Sequence, residues 1–368
     1  MTKKDANQGR MIYYLVNYPL PHTLIKGLNM RKPAILITGA NGEMGHGLIT
    51  ALHKKNNVNI VALDLNPLDD TISVLANEEL IGNILDQGLI EQLNGEYEFD
   101  TIYHLAALLS TRAEFSPQAA HDVNVGGTLN LLNLAIEQSR SQGKSVKIFF
   151  PSSIAVYGFS CLEEKNAAGA IKEDSHRNPT TMYGCNKLYC EHLGNYYTNN
   201  YQRLGAEKHQ RYIDFRSIRF PGIISSKTIP TGGTSDYIPE MLHAAAKGEA
   251  YNCFVREDTQ IPFMTMPDAI CAITTLMDAP EANISRTVYN IRSFAPTAEE
   301  FRQKVLEYFP SAKIGYKVTE KRQKMVDSWP ADTVDNMAKN DWNWKPVHEL
   351  DSGMKDYLVP DLQLMYNN

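Results

Sequence analysis

The sequence predicts an α/β fold: a doubly wound parallel sheet with a smaller C-terminal lobe. Three observations carry that prediction. From Ala34 onward, short continuous apolar runs alternate with segments of helical periodicity. A glycine-rich turn joins the first apolar run to the first helical segment. After Pro221 the alternation breaks, so the later part of the chain follows other rules.

Each element can be justified in order. Ala34–Thr38 is apolar throughout, as in a strand buried on both faces. Met44–Lys54 follows with helical spacing. Asn59–Leu63 is a second buried strand, closed by Asp64. Leu85–Leu93 reads as a short helix and Thr101–Ala107 as another strand. Over Asp122–Glu137, the residues Val123, Leu129, Leu131, Leu132, Leu134 and Ala135 recur at helical spacing. Val146–Phe150 is a strand running into Pro151-Ser152-Ser153. A long helix is expected from about Tyr183 to Tyr201, then a strand over Asp214–Phe220. Strands alternating with helices imply right-handed βαβ units. Beyond Pro221 a helix is predicted near Tyr237–Lys247, and residues 291–368 carry all three tryptophans.

Composition narrows the function. The chain has 368 residues, 43% hydrophobic and 21% charged, which is ordinary for a globular protein. Its formal net charge is −6, so it has no global basic field and nucleic acid is not the expected partner. The five cysteines are scattered without a CxxC pair, which argues against a disulfide framework or zinc ribbon. The ten histidines show no HxxxH or HExxH spacing, so no metal is expected, and His104 reads as a core residue. No apolar run reaches the roughly 18 residues of a membrane span. Met11–Leu20 is apolar but short, with Pro19 inside it and no clear cleavage site, so it is not read as a leader. A small-molecule substrate and a cytoplasmic setting are expected.

The turn after the first strand reads Gly39-Ala40-Asn41-Gly42-Glu43-Met44-Gly45. Gly39 permits a tight turn, Gly42 lets backbone approach a pyrophosphate, and Gly45 allows close helix–strand packing. The helix N-terminus behind it suits phosphate. This is a Rossmann-type dinucleotide turn in the context such turns require. Asp64, at the end of the second strand, suits ribose hydroxyls and repels a 2′-phosphate, so NAD is favoured over NADP. Asn83 and Ile84 are candidates for the adenine side. Leu105, Ala106 and Ala107 are small enough for a cofactor to lie against them. Residues 1–29 are read as an N-terminal extension outside the core and 30–225 as the NAD-binding domain. Residues 226–368 are read mainly as a substrate-binding lobe, with about 262–290 returning to the first domain.

Chemistry enters with Ser153 at a strand end and, later, Tyr183-Gly184-Cys185-Asn186-Lys187. On a helix, Tyr183 and Lys187 share a face. A nearby ammonium favours the phenolate and makes Tyr183 a candidate general base. Ser153 is placed to hydrogen-bond a substrate oxygen.

Glycine turn, serine, tyrosine and lysine together resemble the extended short-chain dehydrogenase/reductase superfamily, over nearly everything from Met30 on. Within it the chain resembles the short-chain type of L-threonine 3-dehydrogenase. The segments that carry this are His104–Ser110, Arg219–Ser225, Gly233–Tyr237, Pro262–Met264 with Pro267-Asp268, Asp327–Pro330 and Asp341–Trp344. The resemblance implies NAD⁺-dependent oxidation of L-threonine at its 3-hydroxyl to 2-amino-3-oxobutyrate. It implies Ser153, Tyr183 and Lys187 as the catalytic set. Gly39, Asn41, Gly42, Met44, Gly45, Asp64, Asn83, Ile84, Leu105, Ala106, Ala107, Asn124, Pro221, Tyr183 and Lys187 would meet the cofactor. Ser110, Ser153, Tyr183, Gly222 and Thr234 would meet the substrate. Asn124 would support a relay water and the lysine. A homodimer pairing the helices Asp122–Glu137 and Tyr183–Tyr201 is implied as well. Three positions depart from the family pattern: Thr265 where tyrosine is frequent, Thr180 where arginine is frequent, and Asn83 where aspartate is common. A sugar-nucleotide epimerase or dehydratase, sharing the fold and the same triad, is the alternative reading.

Overall fold

The computed structural model describes residues 31–55, 58–205, 211–230 and 232–366. The expected extension, residues 1–29, lies outside them. Seven strands form the main sheet: β1 (Lys32–Thr38), β2 (Ile60–Asp64), β3 (Glu78–Ile81), β4 (Tyr97–His104), β5 (Val146–Ser153), β6 (Ile213–Phe220) and β7 (Val288–Asn290). Their order is β7-β6-β5-β4-β1-β2-β3, and every neighbouring pair is parallel. The direction of winding reverses between β1 and β4. That switch point opens a crevice at the carboxyl ends of the strands, where doubly wound sheets bind ligands.

The helices cover both faces. On one lie α2 (Gln87–Glu96), α3 (Gly127–Gln142) and α4 (Met182–Asn199). They pack through Ile90, Leu131, Leu134 and Cys190 onto Leu36, Ile102, Ile148 and Phe215. On the other lie α1 (Glu43–His53) and α6 (Met266–Asp278), whose Leu48, Leu52, Ala272 and Leu276 meet Ile35, Ile37, Phe149 and Ile218. Successive strand residues thus serve opposite cores, which is why the central strands read as unbroken apolar runs. Edge strand β3 alternates half-buried and exposed positions and carried no such signal.

Beyond the sheet, α5 (Tyr237–Lys247) and α7 (Ala298–Tyr308) pack with three small parallel strand pairs. These pair Gly222–Ile224 with Phe263–Thr265, Tyr251–Cys253 with Ile314–Tyr316, and Ala170–Ile171 with Asp332–Thr333. Their shared core contains Tyr237, Phe254, Phe263 and Trp329, and it also takes in Ile154–Tyr157 just after β5. Trp342 and Trp344 belong instead to the α1/α6 side of the main sheet. No helix among the described residues is long and apolar enough to cross a membrane.

Two predicted elements differ in detail. The strand expected over Thr101–Ala107 ends at His104. Leu105 N–H still bonds the Thr38 carbonyl at 3.0 Å, and the chain then lifts away to pass the glycine turn. The helix expected from Asp122 opens with a π-helical turn over Asp122–Gly126. Regular α3 begins only at Gly127 and closes on Gly143 in the left-handed region at φ +69°.

Candidate active site

At the crevice the cofactor wall is made by missing side chains. Gly39 has φ +67°, and a Cβ there would lie 2.6 Å from the Ala106 nitrogen. A Cβ on Gly45 would lie 2.2 Å from the Ala40 oxygen. Only glycine fits either place. Gly42 is exposed, and its missing Cβ faces nothing closer than the Gly39 oxygen at 3.2 Å. No side chain caps α1 at Gly42, which leaves its N-terminal amides suited to an anion.

Asp64 closes β2 beside this turn. It accepts the Asn41 N–H at 3.0 Å and the Asn66 N–H at 3.1 Å. The Asn41 amide organises the neighbouring loop, accepting from Asp69 N–H at 2.9 Å and donating to the Pro67 carbonyl at 3.1 Å. Met44 is half-buried against the α1/α6 core. Asn83 is exposed and its oxygen takes the Leu85 N–H at 3.0 Å. Ile84 is buried against Gly127 of α3. Leu105, Ala106 and Ala107 line the crevice half-buried. A cradle that any Cβ would fill, an uncapped helix end and a carboxylate at the β2 terminus fit NAD.

The catalytic wall follows from β5 and α4. Ser153 is the last residue of β5, and its hydroxyl accepts the Ala155 N–H at 3.2 Å. Thr181 caps α4 by accepting the Gly184 N–H at 3.0 Å. A Cβ on Gly184 would lie 2.0 Å from the Ala155 oxygen, so the first turn of α4 rests directly on the segment after Ser153. Tyr183 and Ser153 therefore share one end of the sheet. Lys187 stands one turn on. Its Nζ is 4.5 Å from the Phe150 ring centre and 5.4 Å from that of Tyr183. The expected lowering of the tyrosine is not what the environment produces. Burial pushes the Tyr183 phenol above its usual value and the Lys187 ammonium down to about 8.

A buried hydrogen-bond chain joins the two walls. Thr128 donates to the Asn124 carbonyl at 2.5 Å, so its oxygen accepts from His104 Nε2–H at 3.0 Å. Nδ1 is then the acceptor for the Thr38 hydroxyl at 2.9 Å. Burial, with the Lys187 charge adding, pushes His104 down to about 3, which keeps it neutral. It is a satisfied core histidine. Asn124 sits in the π-turn. Its oxygen accepts the Leu108 N–H at 2.8 Å, and its amide donates to the Leu108 carbonyl at 3.0 Å and to Asn186 at 3.4 Å. It ties the loop after β4 to α4.

The remaining candidates lie toward the lobe. Ser110 opens a short helix, half-buried. Pro221 is buried. The position of the missing Gly222 Cβ is 2.4 Å from the Phe263 ring. Thr234 is buried, and its hydroxyl reaches Met325 Sδ at 3.2 Å. Thr180 pairs with the Ser328 hydroxyl at 2.8 Å. Thr265 is fully buried; it caps α6, donates to Asp268 at 2.9 Å and meets His348 at 3.1 Å.

Glu191, Ser152, Arg219 and Tyr157 were not singled out individually from the sequence, yet they form a buried network behind Tyr183 and Lys187. An arginine inside the apolar strand Ile213–Phe220, and a glutamate one turn after Lys187, were the available signals.

The profile of the NAD dependent epimerase/dehydratase family matches residues 35–291. The chain belongs to that family. It is 32% identical over 318 residues to the mitochondrial L-threonine 3-dehydrogenase of Bos taurus, covering 86% of this chain and 79% of that one. A monomeric L-threonine 3-dehydrogenase from a metagenome superposes with TM-score 0.78 at 34% identity, covering 90% of this chain and 99% of the other. The holo form of a GalE-like L-threonine dehydrogenase from Cupriavidus necator gives 0.77 at 34% identity, covering 89% and 99%. The family member described here is an NAD-dependent oxidoreductase.

Proposed function

We propose that this oxidoreductase oxidises the 3-hydroxyl of L-threonine, giving 2-amino-3-oxobutyrate, NADH and a proton. The observation that supports the reading is the packing of Gly184 on Ala155, which sets the turn of α4 bearing Tyr183, with Lys187 beside it, against the segment that follows Ser153. The relatives' names support the substrate.

NAD supplies the hydride acceptor. Ser153 donates a hydrogen bond to the substrate oxygen and holds it. Tyr183 removes the hydroxyl proton as the hydride leaves Cβ. Since burial disfavours the phenolate, a positive charge within the cleft must offset it, and Lys187, with its Nζ 5.4 Å from the Tyr183 ring centre, is the group placed to do so. Ser110, Gly222 and Thr234 meet the amino acid's charged groups. Gly39, Asn41, Gly42, Met44, Gly45 and Asp64 hold the pyrophosphate and adenosine ribose, with Asn83 and Ile84 at adenine. Leu105, Ala106, Ala107, Asn124 and Pro221 lie along the nicotinamide half. In this reading residues 30–225 with 262–290 form the nucleotide-binding body, and the rest of 226–368 the substrate lobe.

The deciding experiment is NADH formation by the purified full chain with L-threonine, L-serine and other 3-hydroxy amino acids, beside a UDP-sugar. Steady NADH with threonine supports the reading. Turnover of the UDP-sugar with no net NADH would replace it with an epimerase. Exposed Tyr189 and Tyr196 on α4 support a homodimer through α3 and α4, which light scattering tests. The five free thiols support a reducing compartment such as the cytoplasm.

A further inference from the structure

We propose that Glu191 and Arg219 form a positioning clamp that sets the catalytic residues against one another. The proposal rests on the assignment of Ser153, Tyr183 and Lys187 given above. Glu191 lies on α4, one turn beyond Lys187 and two beyond Tyr183, so all three share a helix face. Its carboxylate is buried and accepts three hydrogen bonds. Ser152 Oγ donates to Oε1 at 2.5 Å, Arg219 Nε to Oε1 at 2.8 Å, and Arg219 Nη2 to Oε2 at 2.6 Å.

The rest of the guanidinium is equally committed. Arg219 Nη1 donates to the Tyr157 hydroxyl at 2.7 Å and to the Glu173 carbonyl at 2.6 Å. Tyr157 in turn donates its hydroxyl hydrogen bond to Asn290 Oδ1 at 2.6 Å. One ion pair thereby grips every segment that delivers a catalytic group. Ser152 precedes Ser153, Tyr157 follows it, Glu173 begins the loop leading to Tyr183, and Glu191 is on the helix of Tyr183 and Lys187. The geometry fixes both the height and the rotation of α4 on β5. Arginine alone has the planar fork for this, because lysine offers one point charge.

A second buried pair on the same strand provides the control. Arg216 and Asp214 face the opposite side of β6, bonded at 2.6 Å and as buried as the clamp. Arg216 also donates to the carbonyls of Leu276 and Ala279, at 2.6 and 2.7 Å, where α6 ends. Its side-chain hydrogen bonds go to Asp214 and to the end of α6, and to none of Ser152, Tyr157, Glu173 and Glu191. Losing one partner of either pair leaves an uncompensated buried charge and destabilises the fold. Only loss of the clamp should also misplace Tyr183.

The test compares Glu191→Gln, Arg219→Ala and Arg216→Met in the full chain, at a temperature where each is folded. Glu191→Gln should lower kcat by about 10–100-fold, the cost of a misplacement near 1 Å, while NADH affinity holds. Arg216→Met should lower the melting temperature and leave kcat unchanged. Arg219→Ala can be rescued from solvent. A cavity of about 380 Å³, lined by Glu191, Arg219, Arg177, His192 and Arg286, opens onto the pair. Millimolar guanidinium should therefore restore part of its kcat and none of that of Glu191→Gln. Amide exchange over residues 182–190 is read in the same samples, independently of any substrate. It should quicken in the two clamp variants and not in Arg216→Met. Unchanged exchange overturns the clamp, as does unchanged kcat in the folded variants. If instead Tyr183→Phe remains active, the assignment of the catalytic set fails and the clamp is judged on exchange alone.

Discussion

The crevice has two walls built on different principles. The cofactor wall is backbone. Gly39, Gly42 and Gly45 matter for the atoms they lack, and no side chain caps the N-terminal amides of α1. The lobe wall is side chains, and those side chains already hold one another. Thr234 reaches Met325 and Thr180 reaches Ser328, each partner a residue of the lobe. A wall made of backbone tolerates one residue type at each key place. A wall made of hydroxyls tolerates many, since the same threonine can serve a substrate or a core.

The largest effect belongs where the walls meet. Tyr183→Phe removes only the hydroxyl, and it should cost about 10³-fold in kcat, within the range of a lost general base. NADH binding, followed by its fluorescence, should be retained. A variant that keeps wild-type turnover would remove the tyrosine from the chemistry.

Next comes the backbone wall. Gly45→Ala would push a methyl into the Ala40 carbonyl, since its Cβ position is 2.2 Å from that oxygen. Overpacking of this kind costs about 1–3 kcal/mol, so NAD affinity should fall roughly tenfold or more, with the substrate KM little changed. An unchanged dissociation constant in calorimetry would show that the turn yields. Asp64→Ala is a milder probe of the same wall. It removes the carboxylate that repels a 2′-phosphate and should narrow the preference for NAD over NADP by about tenfold. Equal use of both cofactors by the unaltered chain would refute the reasoning.

Much of this contrast was open to a reader of the sequence. The strands of the main sheet announced themselves because both their faces are buried, and the glycine turn because nothing larger fits there. The π-turn under Asn124 did not, since the pattern of Leu129, Leu131 and Leu132 is the same with or without one extra residue in the first turn. The short strand pairs of the lobe were also hidden. Asp332-Thr333 pairs with Ala170-Ile171 across more than 160 positions of chain, and two residues carry no periodicity. The clamp was not legible: Arg219 shares its apolar strand with a second arginine, Arg216, and its partners Tyr157, Glu173 and Glu191 come from three separate segments.

The finest probe of the two walls is a pair of buried lysines. Burial pushes both Lys187 and Lys165 down to about 8, so the shift alone does not mark a catalytic group. Their company differs. Lys187 stands by Tyr183, whereas Lys165 donates to the Val326 carbonyl, at 3.3 Å, and feels the Asp327 carboxylate inside the lobe. Lys187→Met should lower kcat by about 10²-fold, less than loss of the Tyr183 hydroxyl; Lys165→Met should keep turnover and stabilise the fold at pH 7, by about 1–3 kcal/mol. The sign follows from linkage. Lys165 has a folded value below its unfolded 10.5, so the folded state carries the full burden of the buried charge below pH 8. As pH rises from 8 toward 10.5 the folded protein sheds that proton before the unfolded chain does, and the burden disappears. The advantage of Lys165→Met in urea unfolding should therefore be largest at neutral pH and shrink toward pH 10. An advantage that does not change with pH would mean that the lysine keeps its proton in the fold as it does in the unfolded chain, and that the methionine gains by packing.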